Sequence, residues 1–234
     1  IVINEFVAAS SEHLAGTDPM TGERRSGASQ SWYAVGFDDS LWSEGSGPFG
    51  AGYGSLGVCV SGQIGGNAAA VYLRTRFSVR AVDILPTVLL DIDYDDGFIA
   101  YLNGREVARR NMGAPGSFAF HNQPAFNDRN SAGIGTIELG EFGDLLVEGE
   151  NVFAVQVHDQ GDRTLKLDAR LRTSGGQVLV NSDASWRYFV GVAEPSGGIY
   201  DKVVGGEGGD LELKWTTGSF DQSGWNLGSS PIGY

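Results

Sequence analysis

A chain of 234 residues, 41% hydrophobic and 19% charged, has enough apolar material for a real core and a composition that excludes wholesale disorder. Its formal net charge of −13 and pI near 4.5 exclude a nucleic-acid partner, which demands a basic surface. The same charge is compatible with bound cations or a salty exterior. Thirty-six glycines against 7 prolines, with no collagen period, point to many tight turns between short strands.

Ile1 to Phe6 reads as a strand that opens the chain directly, with no Met and no basic leader, as expected of an excised or mature segment. Residues 7 to 31 are polar loop. Trp32 to Gly54 is aromatic, glycine-rich and dense in turns, and residues 55 to 70 form a further small-residue loop. Cys59 is the single cysteine, so no disulfide forms within the chain, which argues neither for nor against secretion. Val71 to Val79 alternates: Val71, Leu73, Thr75, Phe77 and Val79 on one face, Tyr72, Arg74, Arg76 and Ser78 on the other.

The stretch Asp91 to Arg109 organises the reading. Val88, Leu90, Ile92 and Tyr94 alternate with Leu89, Asp91 and Asp93, predicting a strand with one buried face. Asp95-Asp96-Gly97 breaks that run at a corner. Phe98 to Leu102 follows as a strand, and Asn103-Gly104 predicts a type I′ turn, since both central residues of that turn need positive φ. Arg105 to Ala108 leaves on a third strand. Residues 110 to 135 are irregular, and a loop of that length in a compact domain is usually functional or poorly ordered. Asn151 to His158 and Thr164 to Arg172 are two more strands. No stretch has a helical period, and no apolar run approaches the roughly 20 residues of a membrane span.

An internal repeat sets the expected layout. Trp215 to Gly233 lies over Trp32 to Gly50 without a gap, at an offset of 215 − 32 = 183. Trp32/Trp215, Phe37/Phe220, Asp38/Asp221, Ser40/Ser223, Trp42/Trp225, Gly45/Gly228, Pro48/Pro231 and Gly50/Gly233 coincide. Residues 1 to 174 are expected to form one complete module, and residues 175 to 234 the opening part of a truncated second copy.

Several blocks together resemble a known module. These are W-Y…F-D-D-S-x-W…G-P-F-G…G-Y-G from Trp32, Y-L-R-x-x-F from Tyr72, D-Y-D-D-G-F-x-x-Y-L-N-G-x-E-V-x-R-x-N-M from Asp93, and G-x-N-V-x-A-V-x-V-H ending at His158. The set is similar to the galactose-binding-like jelly-roll sandwiches that accompany catalytic domains in secreted bacterial proteins, over about Trp32 to Leu171. The resemblance implies an all-β, antiparallel jelly-roll β-sandwich in a secreted or cell-surface protein. It also implies carbohydrate as a partner in many such modules, and a structural Ca²⁺ in many of them.

The acidic cluster Asp91, Asp93, Asp95 and Asp96 has two readings. One is a Ca²⁺ site, because hard cations take several carboxylate oxygens; Asp95 and Asp96 are its expected metal residues. The other is cross-strand pairing of Asp91 and Asp93 with Arg74 and Arg76, and turn capping by Asp95 and Asp96. An EF-hand is excluded, since Asp96 stands where the glycine belongs and Leu102 where the bidentate glutamate belongs.

A sugar site wants an exposed ring flanked by hydroxyl-binding side chains. Trp32, Phe37 and Trp42 recur in the repeat and read as packing residues. Tyr53 and the long loop, with Phe118, Phe120, His121 and Phe126, are expected to be exposed; the ligand-facing rim is assigned to Tyr53, Arg109, Arg110, Asn111, Phe120, His121, Asn122 and Asp128. His158, followed by Asp159, Gln160 and Asp162, reads as a hydrogen-bonded strand-end residue. No zinc spacing, catalytic triad or glycosidase pair stands out. The G-x-G-x-x-G match at Gly45 to Gly50 is a false one, since no helix follows it.

The expected function is a non-catalytic module binding a polysaccharide or glycan. The alternatives are a spacer sandwich in a large surface protein with no small ligand and, behind it, a jelly-roll lyase or hydrolase. An exposed aromatic at a groove favours the first; aromatics all buried beneath charged faces favour the second.

Overall fold

The computed structural model describes residues 31–66, 68–80, 87–140 and 146–195. The expected strand at Ile1 to Phe6 and the repeated segment Trp215 to Gly233 lie outside the described residues. The described chain is an all-β sandwich of two six-stranded sheets.

Twelve strands follow one another: β1 (Ser43–Ser46), β2 (Phe49–Ala51), β3 (Val58–Cys59), β4 (Ala70–Val79), β5 (Val88–Asp95), β6 (Gly97–Leu102), β7 (Arg105–Arg110), β8 (Gly135–Glu138), β9 (Gly149–His158), β10 (Leu165–Thr173), β11 (Val178–Val180) and β12 (Ser185–Val190). The first sheet runs β1-β12-β4-β9-β6-β7. The second runs β3-β2-β10-β5-β8, with β11 also on β10. All pairs are antiparallel except β2 with β3. The hairpin at Asn103-Gly104 joins β6 to β7, with both turn residues at positive φ.

The core lies between the sheets, where period-2 alternation brings one face of each strand together. Leu73 and Phe77 of β4, Leu90 and Ile92 of β5, Phe98 and Leu102 of β6, Phe153 and Val155 of β9, and Leu165, Leu167 and Leu171 of β10 meet there. A second buried cluster covers the outer face of the first sheet. Trp32 and Trp42 stack at 6.2 Å and close over Tyr72, Ile99, Tyr101 and Ala154, with Met112, Ala119 and Ala125 beside them. Both faces of β4, β6 and β9 are therefore buried for most of their length.

That cover changes the expected role of β4. Arg74, read from alternation as a solvent-facing residue, is 1% exposed. Its guanidinium donates to Asp39 at 2.7 Å and to the carbonyls of Trp32 and Ala34, fastening residues 31–42 to the sheet. Arg76 contacts Asp39 at 3.7 Å and Glu150 at 3.2 Å. Neither arginine reaches Asp91 or Asp93, because β4 and β5 are consecutive in sequence but lie in opposite sheets. The partner strands of β5 are β10 and β8. Asp91 accepts from Arg170 at 2.6 Å, Arg172 at 2.7 Å and the Thr136 hydroxyl at 2.7 Å. Asp93 accepts from Lys166 at 2.8 Å and the Ser131 hydroxyl at 2.6 Å.

The sandwich extends past residue 174. β11 pairs with β10, and β12 lies between β1 and β4, placing Trp186 in the core against Phe153 at 5.5 Å.

Candidate functional site

Asp95-Asp96-Gly97 is a corner between sheets. β5 ends at Asp95 in the second sheet, and β6 starts at Gly97 in the first, with a cis peptide between Asp95 and Asp96. Gly97 pairs with His158, so the corner is set against the end of β9. A side chain at Gly97 has no room: a Cβ there would lie 2.9 Å from Met112 Sδ and 3.1 Å from both Ala125 Cβ and the Asn111 carbonyl.

The pairing of β6 with β9 brings the turn after β9 onto the corner. Asp96, Asp159 and Asp162 each place a carboxylate oxygen within 4.8 Å of the others. Asp96 is held by backbone N–H groups of Arg129 at 2.6 Å and Gln160 at 2.7 Å, one on each oxygen. Asp162 caps its own turn, accepting from the Thr164 N–H and hydroxyl, both at 2.8 Å. Asp159 accepts from the Arg163 N–H at 3.1 Å. The nearness of Asp159 and Asp162 pushes their acidities apart. Burial, above all, raises Asp159, while the hydrogen bonds from Thr164 lower Asp162.

Asp95 precedes Asp96 at the end of β5 and is fully buried. One of its oxygens accepts the Tyr53 hydroxyl; the other, Oδ1, is buried with no hydrogen-bond partner. Burial lifts its pKa to about 6, reinforced by the charges of Asp96 and Asp162. Tyr53, desolvated and donating to Asp95, is pushed up to about 12. A buried carboxylate oxygen with no donor is a costly arrangement. Hard divalent cations take six to eight oxygens and are the natural partner for such a set. Asp96, Asp159 and Asp162 are the residues that would hold one, and no thiol or imidazole is among them.

The rim residues expected from sequence fall into separate places. Tyr53 is half-buried and tied to the acidic corner through Asp95. Asn111, at positive φ, sits beside the corner: its side-chain amide donates to the Asp96 carbonyl at 3.1 Å and the Asn127 carbonyl at 2.6 Å. Asp128 and Asn122 are exposed on the loop. Arg110 is exposed and bonds the Arg109 carbonyl at 2.8 Å. Arg109 lies inside rather than on the rim: it is buried, gripped by Glu106 at 2.8 and 2.9 Å, and bonded to the Met112 and Ser117 carbonyls. Phe120 is half-buried and meets Phe118 edge-on at 4.9 Å. His121 is tied to Glu194 at 3.1 Å.

His158 is fully buried, its Nδ1 at 2.8 Å from the Gln123 carbonyl, and burial lowers its pKa to about 4. It is a neutral strand-end residue. Asp159 and Asp162 are the members that sequence reasoning did not assign to the metal. They stand 63 and 66 residues from Asp96, and only the long-range pairing of β6 with β9 joins them.

No family model matches the chain, and no curated protein matches it. Solved structures do, weakly. An α-L-rhamnosidase from Streptomyces avermitilis complexed with L-rhamnose is 21% identical over 73% of this chain and 14% of its own length, with a TM-score of 0.39. The sugar-binding PA14 domain of an RTX adhesin is 22% identical over 54% of this chain and 55% of its own, with a TM-score of 0.27. The PA14 domain of the antifreeze protein MpAFP is 18% identical over 56% and 55%, with a TM-score of 0.29. Among the described residues no helix is long and apolar enough to cross a membrane.

Proposed function

We propose that this protein is a non-catalytic, cation-dependent carbohydrate-binding module of a secreted or cell-surface protein. Calcium is the cation, held by Asp96, Asp159 and Asp162. The observation that carries this reading is the gathering of the Asp96, Asp159 and Asp162 carboxylates within 4.8 Å of one another, with the unpartnered Asp95 Oδ1 on the residue next to Asp96. Three carboxylates gathered at the β5–β6 corner and the turn after β9 repel one another until a divalent cation neutralises them, and the same turns form the surface open to a glycan.

The test is a glycan array run with Ca²⁺ and with EDTA, beside calorimetric titration of Ca²⁺. Saccharide binding lost in EDTA, together with loss of Ca²⁺ binding in Asp96→Asn, is the expected result. Absence of any hit in either condition returns the protein to the spacer class.

A further inference from the structure

Phe126 is the most exposed aromatic ring among the described residues, at 60%. The three described tryptophans, Trp32, Trp42 and Trp186, are all buried, and Tyr53 has its hydroxyl committed to Asp95. A ring left in water is ordinary when it is loosely attached. The backbone on either side of Phe126 is pinned. Its N–H donates to the Asn111 carbonyl at 3.1 Å. The Asn111 side chain clasps the next residue, accepting from Asn127 N at 3.2 Å and Nδ2 at 3.0 Å while donating to the Asn127 carbonyl. The same Asn111 amide bonds the Asp96 carbonyl. The preceding residue, Ala125, donates its N–H to the Asp159 carbonyl at 3.2 Å. Beneath the ring lies Gly113 at φ +88°; a Cβ there would come within 3.1 Å of Phe126 Cζ.

Phe126 is thus linked to the acidic corner through its neighbours: Asn111 bonds the Asp96 carbonyl and Ala125 the Asp159 carbonyl. A rigid aromatic face costs little entropy when a ligand settles on it. The Asn127 and Asp128 side chains, both exposed, stand next to it. We infer that Phe126 is the stacking platform of the site: it takes the hydroxyl-free C–H face of a pyranose, and the exposed Asp128 bonds hydroxyls at the sugar's edge. This rests on the carbohydrate reading above and narrows the ligand to pyranosides with one apolar face.

The experiment uses the full chain and the glycan with the strongest calcium-dependent array signal. Phe126→Ala and Phe126→Leu, neither with a flat face, are expected to weaken binding about tenfold or more by calorimetry. Melting temperature and Ca²⁺ affinity stay at wild-type values. Phe126→Trp keeps the affinity, and its emission relative to wild type changes on saturation. Wild-type affinity in both Phe126→Ala and Phe126→Leu overturns the platform while leaving the calcium-dependent site standing. A wild-type protein that binds no glycan overturns the carbohydrate reading and the platform with it.

Discussion

At the scale of single residues, Asp95 couples the site to stability. A carboxyl whose folded pKa is about 6, against an ordinary 3.8, stabilises the fold fully below pH 3.8. That contribution is lost as pH rises through 6, when the buried group must ionise. His158 acts in the opposite sense: with a folded pKa near 4 against 6.5, its contribution is present above 6.5 and lost as pH falls toward 4. Between pH 4 and 6 the two offset each other. Asp95→Asn keeps an acceptor for the Tyr53 hydroxyl and removes the ionisation. In EDTA at pH 7.5 this variant is expected to be more stable than wild type by about 1–3 kcal/mol. Below pH 6.5 it should lose stability more steeply than wild type, because the His158 dependence is no longer masked. Urea melts from pH 4 to 8 check both; a variant less stable than wild type at pH 7.5 contradicts an unfavourably ionised Asp95. Added Ca²⁺ should reverse the ranking.

At the scale of elements, local patterns were legible and long-range adjacency was not. The Asn103-Gly104 hairpin and the strands β4, β5, β9 and β10 were readable because turn chemistry and period 2 are local signals. The corner at Asp95-Asp96-Gly97 was readable as a break, but not as a passage from one sheet to the other. That difference sent Arg74 and Arg76 to the wrong acids, and it hid Asp159 and Asp162, whose place depends on β9 lying beside β6. The buried outer face of the first sheet was equally hidden, because an arginine at an alternating position looks solvent-facing. The two arginines now make a contrast. Removing Arg74, buried under Trp32 and Ala34, takes away the donor shared by Asp39 and the Trp32 and Ala34 carbonyls. Arg76 has a side chain 37% exposed, so water replaces what it loses. Arg74→Met is expected to cost about 3 kcal/mol or more, with a loss of near-ultraviolet dichroism as the Trp32–Trp42 cover loosens. Arg76→Met should cost less than about 1 kcal/mol. Equal losses in urea unfolding contradict Arg74 as the fastener.

At the scale of the whole molecule, the repeat and the sheets together define the folding unit. Trp32 and Trp42 form the outer cover, and Ser40 N–H bonds Asp38 Oδ1 at 3.0 Å in its turn. Gly45 and Gly50 sit where a Cβ would meet Val58 Cγ2 at 2.3 Å and the Leu165 carbonyl at 2.4 Å. These are among the residues that recur 183 positions later in the sequence. The first sheet includes β12, which carries β1 on one side and β4 on the other. A chain ending after residue 174 lacks it: β1 loses its one partner among the described strands, β4 gains a bare edge, and the core loses Trp186. Residues 1–174 are therefore expected to unfold without a cooperative transition. Residues 1–195 keep every described strand and all three carboxylates, and should melt cooperatively and be stabilised by Ca²⁺. The comparison is by calorimetry with and without Ca²⁺. A cooperative, calcium-responsive transition in residues 1–174 would place the end of the folding unit before β11.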